Sequence, residues 1–402
     1  VRLKGGDPYV FGRGGEEAEA LANANISFEV VPGVSSIVAC PNYAGIPLTH
    51  RAHCSSFTVM TGHGDSDSVD TSAELEQIAN LPGTKVVLMG MKRLPEWTAA
   101  LIARGMAAHT PVAVVQWGTT GRQQSVEGTL GTIAARVAEQ NIAPPALTVI
   151  GDVVKLRAKL NWFEHRPLFG QRVVVTRAVR QANSLKHPLT ELGADVLEVP
   201  CIKTGPSDNK QEIVEVMGSL GMYDWIVFTS ANGVDAFFEY FFRAFEDVRD
   251  LGALRIAAVG PGTAARLQEL HLKVDVVPKE ALGCSVAKAL GAFESIENLK
   301  IVLMRAETAN PDLPQALVEM GAIVDDVACY KTMPETEDPT GDAGRLQAEG
   351  AHWATFTSGS TVESFHARFD LPKLMARFPQ MKLASIGPET TKSINALGLK
   401  PA

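Results

Sequence analysis

VPCIKTGP at residues 199–206 and VACYKTMP at residues 327–334 are two near-copies of one segment, separated by 128 positions. Three further pairs recur at the same or nearly the same offset: QRVVVTR (171–177) with KIVLMR (300–305), WIVFTS (225–230) with WATFTS (353–358), and IAAVGPGT (256–263) with LASIGPET (383–390). One offset held over half the chain indicates a duplication, and its period is too long for a solenoid.

Each copy alternates apolar, β-branched runs with helical stretches, which is typical of a parallel sheet wrapped by helices. The two near-identical segments fall inside the copies, so we expect the chain to leave one lobe near Lys203 and to return to it near Lys331. The sequence predicts an α/β fold of two lobes with a cleft between them. Lobe 1 is predicted to comprise residues 171–203 and 332–402, and lobe 2 residues 204–331.

Length, composition and net charge limit the classes of protein to which the chain can belong. The chain has 402 residues, 46% hydrophobic and 20% charged, which allows two or three globular domains. A net charge of -8 argues against general affinity for nucleic acid. We see no apolar run long enough to span a membrane and no signal-peptide pattern, so we predict a cytoplasmic protein without membrane or nucleic-acid partners. The five cysteines form no CxxC pair, so we predict that their thiols are reduced.

Glycine-rich segments open the chain: KGGDP at residues 4–8 and GRGG at residues 12–15, followed by a helical stretch to residue 23. Glycines let a backbone approach a ligand closely, and a helix N-terminus offers free N–H donors. A strand is predicted at residues 27–31 and a helix after PGVSS at residues 32–36. The alternative, that these are only tight connections, stays open at this point, because neither a P-loop nor a dinucleotide fingerprint is present.

The motifs GGDPYVFGRGGEE, VVPGVSS, GIPLTHR, VMTGH, LMGM and WGT follow one another in this order. Together with PPALTVIG and VVKLRAKLNWF they resemble the uroporphyrinogen-III C-methyltransferases of the tetrapyrrole methylase family. The resemblance implies S-adenosylmethionine as cofactor and methylation of two ring carbons of uroporphyrinogen III to give precorrin-2. The cofactor contacts that it implies are Gly5, Gly6, Asp7, Val10, Ser35, Ser36, Met89 and Gly118.

The family pattern also has a first strand and a GxGPGDPxLLT-like loop, which we do not find in this sequence. We therefore expect an N-terminally truncated methylase that binds S-adenosylmethionine weakly or not at all and does not transfer methyl groups. Residues 1–55 are interpreted as the remainder of the methylase N-terminal domain, residues 56–163 as its C-terminal domain, and residues 164–170 as a linker. Homodimerisation of this half is left open.

His50, His53 and His63 lie near Cys54 and Asp65, and could be interpreted as metal ligands. Their spacing fits no zinc signature. We prefer the interpretation that they border a substrate trough, and we predict no metal.

In the duplicated half, four loops each follow an apolar strand and precede an amphipathic helix: TSANG (229–233), GPGT (260–263), TSGS (357–360) and GPET (387–390). Ligands collect at the carboxyl ends of parallel strands, and each loop supplies a hydroxyl and helix N-terminal N–H groups. Four such loops facing one cleft would bind several carboxylates, although each loop alone could be only a helix cap. Arg177 and Arg305 are repeat mates at strand ends that could add ion pairs or simply be solvated.

YDWIVFTSANGV, IAAVGPGTA, CYKTMP, FTSGSTVESF and ASIGPETT resemble uroporphyrinogen-III synthase over residues 171–402. The resemblance implies two lobes joined by a two-stranded hinge, closure of hydroxymethylbilane with inversion of its last ring, and no cofactor. Tyr330 matches the family tyrosine thought to assist departure of the hydroxyl; a packing role is the alternative, although its repeat mate is Ile202. The implied substrate-binding residues are Arg177, Ser230, Asn232, Thr263, Arg305, Ser358 and Thr390.

The sequence therefore predicts a bifunctional enzyme of tetrapyrrole biosynthesis whose substrates are small tetrapyrroles. The competing hypothesis is a noncatalytic, two-lobed tetrapyrrole-binding or sensor protein. We find no export signal, which weighs against that hypothesis because two-lobed binders are often exported.

Overall fold

The computed structural model describes residues 1–62, 71–280 and 283–402. In the N-terminal half, residues 1–170, the helices are α1 (Gly14–Asn23), α2 (Ser36–Tyr43), α3 (Thr71–Asn80), α4 (Leu94–Ala103), α5 (Ile133–Glu139) and α6 (Arg157–Leu160). The strands are β1 (Phe57–Thr61), β2 (Thr84–Leu88), β3 (Pro111–Gln116), β4 (Gln124–Thr129) and β5 (Ala146–Ile150). Two 3₁₀ turns lie at Met91–Arg93 and Asp152–Leu156.

The five strands of this half form one sheet in the order β1-β2-β5-β3-β4. β5 is antiparallel to both β2 and β3, and β1 is parallel to β2, so β1, β2 and β3 point the same way. Their carboxyl ends therefore meet at one edge of the sheet. Leu101, Val112 and Ile133 are fully buried on the face that α4 and α5 cover.

Two local predictions for this half are wrong. Residues 27–31 are extended but pair with no strand among the described residues, and Phe28 and Val31 are 46% and 72% exposed. A strand needs a hydrogen-bonded neighbour, and an apolar run alone does not supply one. The sequence VVKLRAKLNWF also predicts a helix over residues 156–163 that closes this half, but the structure has a 3₁₀ turn followed by the short α6, which ends at Leu160.

The helices of the duplicated half, residues 171–402, are α7 (Val179–Glu191), α8 (Lys210–Gly218), α9 (Ala231–Ala244), α10 (Pro261–Glu269), α11 (Gly283–Phe293), α12 (Asp312–Glu319), α13 (Asp342–Glu349), α14 (Gly359–Phe369), α15 (Leu371–Arg377) and α16 (Pro388–Ala396). Its strands are β6 (Arg172–Val175), β7 (Asp195–Glu198), β8 (Ile202–Pro206), β9 (Trp225–Phe228), β10 (Arg255–Ala258), β11 (Lys300–Ala306), β12 (Ile323–Pro334), β13 (Trp353–Phe356) and β14 (Lys382–Ser385). Two 3₁₀ turns lie at Leu220–Met222 and Val248–Leu251.

The strands form two sheets of the same design, which define the lobes. Lobe 1 has the parallel order β14-β13-β6-β7, and lobe 2 has the parallel order β10-β9-β11-β12 with β8 added at its edge. Even the register repeats, because Trp225 lies opposite Ile301 in lobe 2 while its repeat mate Trp353 lies opposite Val173 in lobe 1. The predicted duplication is therefore confirmed, with each copy contributing two parallel strands to each lobe and the first copy adding the antiparallel β8.

The connection between the lobes is a ribbon of two antiparallel strands. β12 continues past the lobe 2 sheet, and its last five residues pair with β8, placing Tyr330 opposite Pro206 and Pro334 opposite Ile202. The backbone N–H of Glu335 then donates to the carbonyl of Cys201 at 2.9 Å. The predicted two-stranded hinge is confirmed.

The two halves of the chain are in direct contact. Gly121 lies so close to lobe 1 that a Cβ there would come within 2.2 Å of backbone atoms of Ala194 and Asp195. The backbone N–H of Gly170 donates to the Gly121 carbonyl at 3.2 Å. At the start of the predicted linker, the half-buried Glu164 carboxylate accepts hydrogen bonds from Arg157 (2.6 Å), Ser125 (2.8 Å) and Gln123 (2.9 Å), so this segment is anchored to the N-terminal half.

Candidate functional site

A cavity of about 400 Å³ opens at the carboxyl edge of the first sheet, and we call it the N-terminal cavity. All eight of the predicted cofactor contacts line it: Gly5, Gly6, Asp7, Val10, Ser35, Ser36, Met89 and Gly118. They come from four separate segments, namely the glycine-rich loop, the start of α2, the end of β2 and the turn after β3. A second space of about 480 Å³, lined mostly by apolar side chains, shares Ser36, Cys40 and Met89 with it.

Asp7 ties the first two of these segments together. One carboxylate oxygen accepts the backbone N–H of Tyr9 at 2.9 Å, and the other accepts the backbone N–H of Gly33 at 3.1 Å. A Cβ on Gly33 would meet the Gly6 carbonyl oxygen at 2.2 Å, so this contact requires glycine at position 33. Asp7 thus shapes the loops and keeps further lone pairs for a ligand hydroxyl or amino group.

The other two segments are held in unusual backbone conformations. Met89, Trp117 and Thr119 have positive φ values of 53°, 49° and 74°, which are uncommon for residues other than glycine. Between them, Gly118 packs on Cys40, whose Sγ would lie 2.6 Å from a Cβ at position 118. Burial raises the pKa of the Cys40 thiol to about 11, so it lines the cavity as a neutral group.

A second candidate site, the hinge cavity, lies between the lobes and has a volume of about 500 Å³. The two hinge strands and Glu335 form part of its wall, and the rest comes from Ala178 before α7 in lobe 1, from the starts of α8 and α9 and from the face of α9. Of the predicted substrate-binding and catalytic residues, Tyr330 and Asn232 line it.

Tyr330 is 7% exposed, packs in the core of lobe 2 and lines this cavity. Its Oη lies 2.9 Å from Oγ of Ser230. Burial raises the pKa of the Tyr330 phenol above its ordinary value, and hydrogen bonds from Ser230 and Asn232 act in the opposite direction. A phenol kept protonated beside hydrogen-bond donors is suited to act as a proton donor.

Charged side chains surround the hinge cavity, and sequence reasoning assigned none of them to a ligand. The cations are Lys203, Lys210 and Arg243, and the anions are Asp235, Glu239 and Glu335. Lys203 pairs with Glu335 at 3.3 Å and Arg243 with Glu239 at 2.5 Å, whereas Lys210 forms no ion pair with the residues that the structure describes. Its position in the sequence could have indicated that Lys210 lines the cavity, because Lys210 begins the helix directly after the first hinge strand.

The structure does not bring the remaining predicted residues to this cavity. Arg305 is buried in lobe 2, where Nε and Nη2 hold the Asp326 carboxylate and Nη1 donates to the carbonyl of Asn310 at 2.6 Å. Thr263 and Thr390 are 7% and 3% exposed in the first turns of α10 and α16. The last two are also accounted for locally: Ser358 caps α14, and Nη1 of Arg177 donates to Oγ of Ser184 at 3.1 Å.

The histidine cluster shows no metal geometry. The rings of His50 and His53 lie 4.9 Å apart, while His63 and Asp65 fall outside the described residues. Within residues 1–62, 71–280 and 283–402, no group of three or more His, Cys, Asp or Glu side chains could hold a metal ion. In the same ranges, no helix has the length and apolar character needed to cross a membrane.

Comparison with known proteins covers nearly the whole chain. Residues 1–134 match the family of tetrapyrrole (corrin/porphyrin) methylases, and residues 183–402 match the family of uroporphyrinogen-III synthase HemD. The chain belongs to the uroporphyrinogen-III synthase family. The predicted fusion is confirmed: a uroporphyrinogen-III synthase domain follows a methyltransferase domain of the S-adenosylmethionine-dependent type, and the chain is a bifunctional enzyme of tetrapyrrole biosynthesis.

Two relatives illustrate the extent of the match. The porphyrin biosynthesis protein HemD of Ruminiclostridium josui is 38% identical over 374 residues, covering 92% of this chain and 74% of that protein. The uroporphyrinogen-III C-methyltransferase of Bacillus subtilis is 37% identical over 300 residues, covering 75% of this chain and 60% of that protein. Among solved structures, uroporphyrin-III C-methyl transferase from Thermus thermophilus complexed with S-adenyl homocysteine is 37% identical, with a TM-score of 0.34, and covers 39% of this chain and 67% of that one.

Proposed function

We propose that the hinge cavity closes hydroxymethylbilane to uroporphyrinogen III, with inversion of the last pyrrole ring and without a cofactor. The observation that carries this proposal is the buried Tyr330, which lines a cavity between two lobes. The overall reaction loses one water, so the protein must protonate a departing hydroxyl and fold a flexible chain so that its ends meet. Tyr330 supplies the first requirement, and the shape of the cavity supplies the second.

The substrate carries eight carboxylates, and we propose that the cations around the hinge cavity bind some of them. Lys210 lacks an ion-pair partner among the described residues, and Arg243 has an exposed partner that a substrate carboxylate can displace. Ser230, Asn232, Arg177, Ser358, Thr263, Thr390 and Arg305 were predicted for this role from the sequence. Of these, Arg305 is the weakest proposal, because Asp326 already occupies its guanidinium group.

Replacing Lys210 and Arg243 by Ala is expected to raise the KM for hydroxymethylbilane about threefold to tenfold for each change, with kcat nearly retained. Each change removes one charged contact to substrate that is worth about 1 kcal/mol at a solvated site. Arg249→Ala is the matched control, because Arg249 also pairs with a nearby carboxylate, Asp247 at 2.5 Å, but does not line the hinge cavity. Unchanged KM values in both cavity variants would remove these residues from the site.

The decisive test of the synthase reaction is to supply hydroxymethylbilane and to separate the uroporphyrinogen isomers formed. Isomer III in excess, at a rate above the spontaneous reaction, supports the proposal. Isomer I alone at the spontaneous rate would contradict it and would favour a noncatalytic tetrapyrrole-binding protein.

In place of the inactive half expected from the sequence, we propose that the N-terminal cavity binds S-adenosylmethionine and that this half methylates uroporphyrinogen III toward precorrin-2, because all eight predicted contacts line this one cavity. The residues fit the group, because Gly5, Gly6 and Gly118 line the cavity without side chains, and Asp7 offers carboxylate lone pairs. S-adenosylmethionine, when bound, supplies the methyl group. The chain's own residues bind and orient it: the glycine loop and the start of α2 offer backbone donors, while Met89 and Gly118 close the opposite wall.

Gly33→Ala is expected to weaken binding of S-adenosylhomocysteine at least tenfold. The new methyl group would overlap the Gly6 carbonyl oxygen, so the glycine loop and the PGVSS turn must separate. Titration calorimetry of the unsubstituted and substituted chains would measure this. Gly15→Ala, where no atom lies within 4 Å of the added Cβ, is the control and is expected to bind like the unsubstituted chain. Equal affinity in Gly33→Ala would contradict this placement of the cofactor.

A further inference from the structure

Two polar side chains, those of Ser230 and Asn232, flank the Tyr330 phenol. Oγ of Ser230 lies 2.9 Å from Tyr330 Oη and also accepts the backbone N–H of Gly233 at 3.0 Å, as the N-cap of α9. Asn232 lines the same cavity as Tyr330, and its side chain opposes the effect of burial on the pKa of the Tyr330 phenol. The described residues offer no other partner to the Ser230 hydroxyl or to the Tyr330 hydroxyl.

Counting protons leaves two arrangements of the hydrogen bond between Ser230 and Tyr330, because either hydroxyl can be the donor. A serine hydroxyl has one proton and two lone pairs, and Gly233 uses one lone pair of Ser230. If Tyr330 donated to Ser230, the serine proton would lack an acceptor among the described residues. If Ser230 donates to Tyr330, the tyrosine proton is the one without an acceptor among the described residues, and it is available to a ligand in the hinge cavity.

From this geometry we infer that Ser230 and Asn232 are positioning residues, which donate hydrogen bonds to Tyr330 Oη and thereby aim its proton at the substrate. This inference rests on the proposed synthase function, and it replaces the carboxylate-binding role predicted for the two residues. They act through the tyrosine and do not need to contact the substrate.

The proton-transfer step balances with these groups alone. The Tyr330 O–H bond breaks as its proton moves to the departing hydroxyl oxygen, and the carbon–oxygen bond breaks with its electron pair leaving on water. The phenolate that forms is then held by the two donors, Ser230 and Asn232. When the last pyrrole regains its aromaticity after ring closure it loses one proton, and that proton restores the phenol.

The duplication supplies an internal control. Ser358 is the repeat mate of Ser230, and its hydroxyl caps α14 by accepting the backbone N–H of Thr361 at 3.2 Å. The repeat mate of Tyr330 is Ile202, which has no hydroxyl, so Ser358 has the cap without the tyrosine. Loss of each cap is expected to lower thermal stability to a similar extent.

A double-mutant cycle tests the inference through the rate of isomer III formation at saturating substrate. Ser230→Ala is expected to lower kcat about fivefold to tenfold with little change in KM, and Ser230→Thr to recover most of this loss. The double variant of Ser230→Ala with Tyr330→Phe is expected to be as slow as Tyr330→Phe alone, within about twofold, because both changes remove one shared function.

The same cycle with Ser358→Ala and Tyr330→Phe is expected to give the product of the two single effects. Multiplicative effects in the Ser230 cycle would overturn the inference, because Ser230 would then act on the substrate independently. That outcome differs from failure of the proposed function, in which the unsubstituted chain itself forms no excess of isomer III. Asn232→Ala is the second variant, and is expected to show the same dependence on Tyr330.

Discussion

Tyr330→Phe is expected to slow the formation of uroporphyrinogen III about tenfold to a hundredfold, with isomer III still the major product. The change removes the proton donor and leaves the shape of the hinge cavity, so the barrier to hydroxyl departure rises by about 1.4–2.7 kcal/mol while the folding of the substrate persists. The loss is limited because the substrate also ionises unaided. Quenched-flow measurement with separation of the isomers would give the rate and the product ratio together.

Stability serves as the control for this substitution. Phe keeps the ring that packs beside Cys329 and Phe237 in the core of lobe 2, and the lost hydrogen bond to Ser230 is worth about 1 kcal/mol. A normally folded Tyr330→Phe variant that retains the full rate would show that the tyrosine only packs in the hinge.

Glu164→Ala is expected to lower the free energy of unfolding of the N-terminal half by about 2–3 kcal/mol. The change leaves the buried Arg157 guanidinium without its 2.6 Å partner and removes the acceptor for Ser125 and Gln123. Arg157 keeps Glu127 at 2.9 Å, which limits the loss. Denaturant unfolding followed by tryptophan fluorescence would measure the change, and Glu139→Ala at an exposed position is the control.

The pH dependence of this effect has a defined sign. Burial alone would raise the pKa of the Glu164 carboxyl, but hydrogen bonds from Arg157, Gln123, Asn161 and Ser125 outweigh it and hold the pKa below its usual value. Such a group stabilises the fold above its unfolded pKa of about 4.3, and this contribution is lost as the pH falls through the lower folded pKa. The stability difference between the unsubstituted chain and Glu164→Gln should therefore shrink as the pH falls below about 4. A difference that stays constant down to pH 2 would contradict this role.

The parts of the fold that the sequence predicted are those that local pattern and repetition encode. The offset that relates Trp225 to Trp353 was enough to predict two equivalent lobes, and the structure adds that even the strand register is the same. The eight predicted cofactor contacts come together because their motifs end strands or begin helices at one sheet edge. The strand predicted at residues 27–31 failed because strand formation depends on a partner, which an apolar run does not reveal.

The chemistry of the hinge cavity was less predictable, because it depends on how the helices pack around the cleft. Lys210 and Arg243 lie on different helices, and nothing in their local sequence shows that they line the same space. Arg305 was predicted as a ligand for carboxylates, and it does hold a carboxylate, but an internal one. Asp326 could have indicated this internal ion pair from the sequence, because a charged residue within the strand beside Arg305 needs a partner.

The exchange of strands between the two copies has a consequence for synthesis on the ribosome. The sheet of lobe 2 is drawn from one continuous stretch of chain, and it can assemble as soon as β12 has emerged. The sheet of lobe 1 pairs β6 with β13, so that Val173 must wait for Trp353, 180 residues later, before its ladder can close. The lobe that begins first is therefore completed last, at the larger entropic cost of closing a long loop. Gly121 contacts Ala194 and Asp195 in this same late lobe, so the N-terminal half gains its finished docking surface only after nearly all of the chain has been translated.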